Sequence, residues 1–505
     1  MRVPRAPLLL LVLAMFSAVV VATPLIYLAV RAFGAGWSQL LDLATRGRTL
    51  ELAANSLLLA LTVSLACLVI GIPSAVLITR ARLPAPGLWR VLVALPLAMP
   101  SYVAAYAWVD LFPQINGFFG AWLVLTLVST PYVTLPVAAA LRRADRSVEE
   151  VARTLGRSSA GAMRAALLPQ VLPAAAAGAL LAALYALADF GAVAIMRFEV
   201  FTYGIQRAYR VGFDPGLAAV LALLLTLLAV VLVLAERGAR GRWQRRQPTI
   251  ISVRPSPTEP LRRWHLPALG GLATVATLSL GVPLWSLTGR LLESTRSGVD
   301  WARLLSATLS TLSVSALGAA LTIALALPVG VLAARHRGKS VAAIESVSYL
   351  GNALPGIVVG LAMVFLTIQL APALYQTVLA LAIAYAVMFL PKAVGAVRTS
   401  VGMVPVALEE VGRTLGRTPQ AAWWSLTARL ATPGIATGAL LVMLTAMKEL
   451  PATLLLRPLG METLATQMWS HTAVNAYGAA APYAFAVVLL ASLPAYLLAR
   501  EERAT

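Results

Sequence analysis

The sequence predicts an all-α integral membrane protein whose twelve transmembrane helices form two parallel six-helix repeats. Three observations lead there. Apolar residues fill 60% of the 505 positions and charged residues only 12%, against about 25% charged residues in soluble domains. A soluble fold of this length could not cover its surface with so few charges, and the mean hydropathy of +0.83 agrees. Apolar runs of about 20 residues, enough for a helix to cross a bilayer core, recur along the whole chain. The second half, finally, repeats the first.

The elements follow in order. Met1-Arg2-Val3-Pro4-Arg5 and the apolar run after it have the charge profile of a signal peptide. The run continues to about Val30, too long for a 7–15-residue signal core, so an uncleaved first helix is expected. Spans are then expected near 54–79, 90–112, 118–141, 168–196 and 216–236. A second set is expected near 265–289, 307–334, 344–370, 372–397, 430–448 and 482–499. Pro and Gly inside these runs do not disqualify them, because membrane helices tolerate both. Cys67, the only cysteine, lies in an apolar run and can form no intrachain disulfide.

Positive charge gives the orientation. With the N-terminus inside, most of the 40 Lys and Arg fall on cytoplasmic segments, among them Arg80, Arg142, Arg153, Arg157, Arg335, Lys392, Arg398, Arg413 and Arg417. Both termini are then cytoplasmic. The net charge of +20 is explained by this bias, and nucleic acid is not called for as a partner. Residues 237–264 are Arg-rich and then Pro-rich, and are expected to form a cytoplasmic linker between a first repeat at 1–236 and a second at 265–505.

The repeat is explicit. Glu149-Glu150-Val151-Ala152-Arg153-Thr154-Leu155-Gly156-Arg157 returns as Glu409-Glu410-Val411-Gly412-Arg413-Thr414-Leu415-Gly416-Arg417, differing only at Ala152 against Gly412. Pro73, Pro100 and Pro136 match Pro328, Pro355 and Pro391 at an offset of 255, and Pro173 and Asp189 match Pro433 and Glu449 at 260. Six crossings per copy is an even number, so both copies point the same way.

Several catalytic signatures are false. Asp189-Phe190-Gly191 has no accompanying Gly-rich loop. Gly338-Lys339-Ser340 lacks the first glycine of a phosphate loop, where Ala333 stands. His265, His336 and His471 have no ligand neighbours in sequence. No hydrolytic or redox constellation is present, and the chain is not expected to be an enzyme.

The repeated segment is the informative one. Its acidic pair opens a short helix, where negative charge suits the helix dipole. Val151, Thr154 and Leu155 share one face, Arg153 and Arg157 another, and Gly156 permits a turn. Interfacial cover would require only similar hydrophobicity in the two copies; near-verbatim repetition favours a docking surface.

Glu150 through Gly156 to Pro169 and Pro173 resembles the EAA loop of binding-protein-dependent ABC importer permeases, and Glu410, Gly416 and Pro433 match it again. The chain departs from that pattern at Arg429, where the first proline is expected, and at Val151, Val411 and Gly412, where alanines are expected. The fused arrangement resembles the ferric-iron importer permeases, as do Asp189-Phe190-Gly191, Thr202 to Ala208 and Lys448 to Pro458.

The resemblance implies a type I importer permease (MetI-like) fold in a bacterial inner membrane. It implies a periplasmic substrate-binding protein that delivers cargo, and a cytoplasmic ABC ATPase dimer that uses ATP and Mg while this chain binds no cofactor. Glu149, Glu150, Arg153 and Gly156, with Glu409, Glu410, Arg413 and Gly416, are then the ATPase-coupling loops. The expected cargo is ferric iron; thiamine, a phosphonate, sulfate or a polyamine are alternatives for the same machine. An ion-coupled secondary transporter also has twelve crossings in two halves, but would not need duplicated docking loops.

Asp189 and Glu449 occupy equivalent repeat positions at the outer ends of the fifth and eleventh spans, and are candidates for the translocation path. A carboxylate at mid-membrane costs about 2.5–3.5 kcal/mol on insertion scales, so it tends to face a cavity or a partner. Ferric iron, a hard cation, favours oxygen ligands. Pairing of Glu449 with Lys448 or Arg457, and of Asp189 with Arg197, would be the plainer role.

Overall fold

The computed structural model describes residues 6–34, 36–143, 147–244 and 264–501, and among them every regular element is helical. The first repeat contains α1 (Leu8–Phe33), α2 (Trp37–Thr45), α3 (Gly47–Arg80), α4 (Pro86–Ala94), α5 (Ser101–Leu111) and α6 (Gly117–Arg143). After these come α7 (Ser147–Thr154), α8 (Ser159–Ala188), α9 (Gly191–Ile195), α10 (Phe201–Arg210) and α11 (Pro215–Gln244). The second repeat begins with α12 (His265–Ala276), α13 (Val282–Ser297), α14 (Trp301–Arg335), α15 (Lys339–Ser348), α16 (Gly356–Leu370) and α17 (Val378–Met403). It ends with α18 (Val406–Thr414), α19 (Pro419–Ala422), α20 (Arg429–Met447), α21 (Pro451–Leu456), α22 (Leu464–Ala473) and α23 (Tyr477–Glu501).

Nine helical stretches among the described residues are long and apolar enough to cross a membrane, or ten if Pro86–Ala98 and Ser101–Leu111 count as one span bent by 95°. The two remaining apolar runs are the shorter helices Gly356–Leu370 and Tyr477–Ser492. The sequence anticipates one continuous helix over 90–112. Instead a 3-10 turn at Leu95–Ala98 and Pro100 break it, and a 3-10 turn at Leu350–Ala353 and Pro355 break its counterpart. Proline has no N–H to donate and disfavours helical geometry in the residue before it, so each break falls where proline stands. The helix α11 runs into the segment expected to be a linker, whose residues 245–263 lie outside those described.

The described chain forms two compact units, one of residues 45–204 and 227–296, the other of residues 1–44, 205–226 and 297–505. In the first, α3, α6 and α8 pack together and α5 packs on α9. In the second, α14, α17 and α20 pack together and α16 packs on α21. Close approach relies on small residues, as expected between membrane helices. A Cβ at Gly178 would strike the α6 backbone at Tyr132, and one at Gly438 would strike Ala396 of α17. Many hydroxyls within the spans bond to carbonyls four residues back, as Thr130 does to Thr126 and Thr322 to Gly318, so these need no water.

The repeat is a relation of sequence, and the packing divides differently. The helix α1 packs against α14, α15 and α16 of the second repeat, where Arg31 lies over the Phe365 ring at 5.7 Å. Conversely, α12 packs on α4, and α13 is tied to α5 of the first repeat. There Arg290 meets Asp110 at 2.7 Å, and Ser286 donates to the same carboxylate at 2.9 Å. The Asp110 side chain is only 2% exposed.

Candidate coupling and translocation sites

Both copies of the repeated loop fold into the same three parts. A short helix, α7 or α18, ends in a glycine at φ +84° (Gly156) or +83° (Gly416). Around it Gly156 N–H donates to Arg153 O and Arg157 N–H to Ala152 O, and Gly416 and Arg417 repeat the pattern on Arg413 and Gly412. This is a Schellman ending, which requires a left-handed residue and so selects glycine. A hydroxyl cap then opens the next helix, Ser158 accepting from Gly161 N–H at 3.2 Å and Thr418 from Ala421 N–H at 3.2 Å.

The face predicted for docking is exposed. Leu155 is 78% and Leu415 77% exposed, with Val151 and Val411 exposed beside them. Arg153 and Arg413 are also exposed. The inner face of α18 is held by Gly412, its one buried residue, where a Cβ would come within 3.0 Å of Leu426 and 3.2 Å of Ala422.

The adjacent glutamates diverge. Glu409 turns back into the protein: Arg335, at the end of α14, pairs with its Oε1 at 3.0 Å, and Thr427 donates to the same oxygen at 2.6 Å. Arg335 also donates to Val404 O at 3.0 Å, which fixes the chain entering α18. Glu410 faces outward. In the first copy, Glu149 and Glu150 lie on α7, and their side chains are outside the described residues. Arg80, the counterpart of Arg335 at an offset of 255, is buried at the end of α3 and donates to Leu141 O at 3.3 Å.

Asp189 sits in the break between α8 and α9 and is 8% exposed. Its Oδ1 accepts from Ala192 N–H at 2.9 Å and Val193 N–H at 3.3 Å, capping α9, and its Oδ2 accepts from Ser101 Oγ at the start of α5. Its carbonyl accepts from Thr202 at 2.6 Å. Glu449 repeats the cap one methylene longer, its Oε1 accepting from Ala452 N–H at 3.2 Å at the start of α21. The counterpart of Ser101 is Gly356, where a Cβ would strike Glu449 Oε1. The two repeats thus fill one space in two ways, Ser with Asp and Gly with Glu. Arg457 pairs with Glu462.

One charge lies elsewhere than expected. Lys392, expected in the cytoplasmic charge set, lies in the middle of α17, with Pro391, Ala393 and Val394 buried on either side. Its side chain is exposed, donates to Thr445 Oγ1 of α20 at 3.3 Å and stands over the Phe389 ring at 5.3 Å. The apolar run 372–397 contained the signal, a lone charge inside a span. Lys448 follows α20 directly. Among the described residues no group of three or more His, Cys, Asp or Glu is placed to hold a metal ion.

Comparison with known proteins adds three findings. The family described as the binding-protein-dependent transport system inner membrane component matches twice, at residues 67–238 and 326–500. The chain is 34% identical to the Fe(3+)-transport system permease protein FbpB 2 of Haemophilus influenzae, over 98% of each chain. It is 30% identical to the sulfate transport system permease protein CysT of Salmonella typhimurium, over 35% of this chain and 70% of that one. It is 29% identical to the molybdenum transport system permease protein ModB of Mycobacterium bovis, over 45% of this chain and 92% of that one.

Proposed function

The chain belongs to the family of binding-protein-dependent transport system inner membrane components, and from that premise we propose that it is the fused permease of an ATP-driven importer of ferric iron. Twelve crossings in the type I arrangement, with both termini cytoplasmic, complete the reading. A periplasmic binding protein delivers the cargo. An ABC ATPase dimer on the cytoplasmic side hydrolyses Mg-ATP, and this chain performs no chemistry of its own.

The observation that carries the reading is the pair of identical helix-and-glycine turns presenting Leu155 and Leu415 to solvent. Two such faces on one chain suit two copies of one ATPase. Closure of the ATPase pair would draw α7 and α18 together, and rigid-body rocking of the repeats then alternates access to the path. Glu150 and Glu410 meet the ATPase; Glu149, Glu409, Arg153 and Arg413 support that surface. Asp189 and Glu449, at the helix breaks, border the path.

The test is Glu150→Lys combined with Glu410→Lys. Charge reversal in a buried interface costs several kcal/mol, so ATPase association and uptake of radiolabelled iron should both be lost while membrane insertion persists. Normal association in the double variant would overturn the docking role. Purified free of other subunits, the chain should hydrolyse no ATP. A second cargo reading, an oxyanion, is favoured by the sulfate and molybdenum permeases among the relatives. Uptake of labelled sulfate in place of iron would establish it.

A further inference from the structure

The turn between α14 and α15 opens a cleft of about 550 Å³, with Arg335, Arg337, Gly338, Ala342, Glu345 and Arg398 on its walls. Residues 80–86 make the corresponding turn of the first repeat, at the offset of 255. There Leu83 stands in place of Gly338 and is buried, and Pro84 stands in place of Lys339. A Cβ at Gly338 would meet nothing within 4 Å. One repeat buries an apolar side chain at this turn, and the other leaves room lined with charge.

That charge is in excess on the positive side. Arg398 pairs with Glu345, and Arg335 with Glu409. Arg337 and Lys339 are exposed, and neither has a partner among the described residues. The cleft also reaches the start of α15, a helix of 10 residues whose first turn no side chain caps. Its leading N–H groups have no carbonyl within the helix, and such a terminus favours phosphate. Arginine adds paired donors that match phosphate oxygens.

Depth in the membrane identifies the phosphate. The span α14 ends at Arg335, and α15 turns the chain back toward the apolar helix α16. The turn therefore lies where spans meet headgroups, on the side that positive charge assigns to the cytoplasm. Basic pockets between spans on that side hold anionic lipids by their headgroups. Arg335, on the cleft wall, also holds Glu409 and Val404 O at the entry to α18. We propose that the cleft binds the headgroup phosphate of an anionic phospholipid and, resting on the coupling reading above, that the bound lipid steadies α18 and raises the cargo moved per ATP hydrolysed.

The experiment uses the assembled transporter with its ATPase and binding protein. Native mass spectrometry should find phosphatidylglycerol retained after detergent washing and phosphatidylcholine lost. Arg337→Gln should weaken retention about fivefold, the electrostatic share of one basic residue near a headgroup, and Lys339→Gln should add to it. Ala342→Phe fills the cleft with every charge in place and should abolish retention; if it fails to assemble, the Arg337 and Lys339 variants decide. In proteoliposomes of phosphatidylcholine alone, cargo moved per ATP should fall at least threefold from its value with phosphatidylglycerol. Equal retention in all variants, or displacement of the lipid by inorganic phosphate, overturns the lipid site. Retention lost with an unchanged transport ratio overturns its tie to α18. A wild-type chain that binds no ATPase overturns the coupling reading, and the retention measurement still decides the site.

Discussion

At Glu409 the carboxylate folds back onto Arg335 and Thr427, and at Glu410 it faces outward, so neighbouring glutamates hold the loop and present it. Glu409→Gln removes a hydrogen bond between charged partners, worth about 1.5–3 kcal/mol when well shielded. It should lower the thermal unfolding midpoint and the iron moved per ATP hydrolysed, with the ATPase still bound; a wild-type midpoint and coupling ratio would refute the role. At the helix breaks, Asp189→Glu should crowd Ser101 and cost about 1–3 kcal/mol, as overpacking does. Adding Ser101→Gly reproduces the second repeat's solution and should recover at least half of that loss in a double-mutant cycle. Additive losses would mean the two residues are not coupled. Both glutamate pairs were legible as a repeat, and Asp189 as the partner of Glu449. Their bonding was not, because Ser101 lies 88 residues away in sequence. Counting charges by side of the membrane places Lys392 in the cytoplasmic set although it falls inside the expected span 372–397, because such counting never asks whether a span owns the lysine.

Among the elements, the coupling turn was the most legible. A glycine after Arg-Thr-Leu implies a left-handed ending, and both copies supply it. Ala at Gly156 or Gly416 meets no neighbouring atom, so its cost is conformational, about 1–2 kcal/mol for the left-handed region. Val should cost more, and the two copies should respond alike. Thermal unfolding of the four single variants checks this, and equal tolerance of Ala and Val would refute it. The second copy carries a difference that hydropathy cannot register. A π-turn at Trp423–Ala428 precedes α20, whereas the corresponding part of α8 is uninterrupted. It ends at Ala428, directly before Arg429, where the family pattern expects proline.

For the whole molecule, composition fixed the membrane class and the doubled segment fixed the repeat, but neither shows which helix packs on which. Helix partners depend on side-chain fit between segments far apart in the chain, as with Asp110 and Arg290. Cutting the chain within 245–263 and co-expressing the pieces should yield a complex that co-purifies, since each piece carries a helix that packs against the other. Either piece alone should be degraded. A stable, monodisperse piece 264–505 would refute the exchange of α1.

That exchange also sets a schedule for synthesis. The ribosome releases α1 first, and its partners α14 to α16 follow after roughly 270 further residues, on the order of 15–50 s at ~5–20 residues per second. Through that interval α1 must wait in lipid with no mate. It can do so because it is apolar along its length: its most apolar 18-residue stretch has a mean hydropathy of 2.6, and only 28% of that stretch is buried even in the finished protein. A charge placed on α1 would therefore harm the nascent chain before it harmed the transporter, and its effect would register as lost insertion, not lost transport.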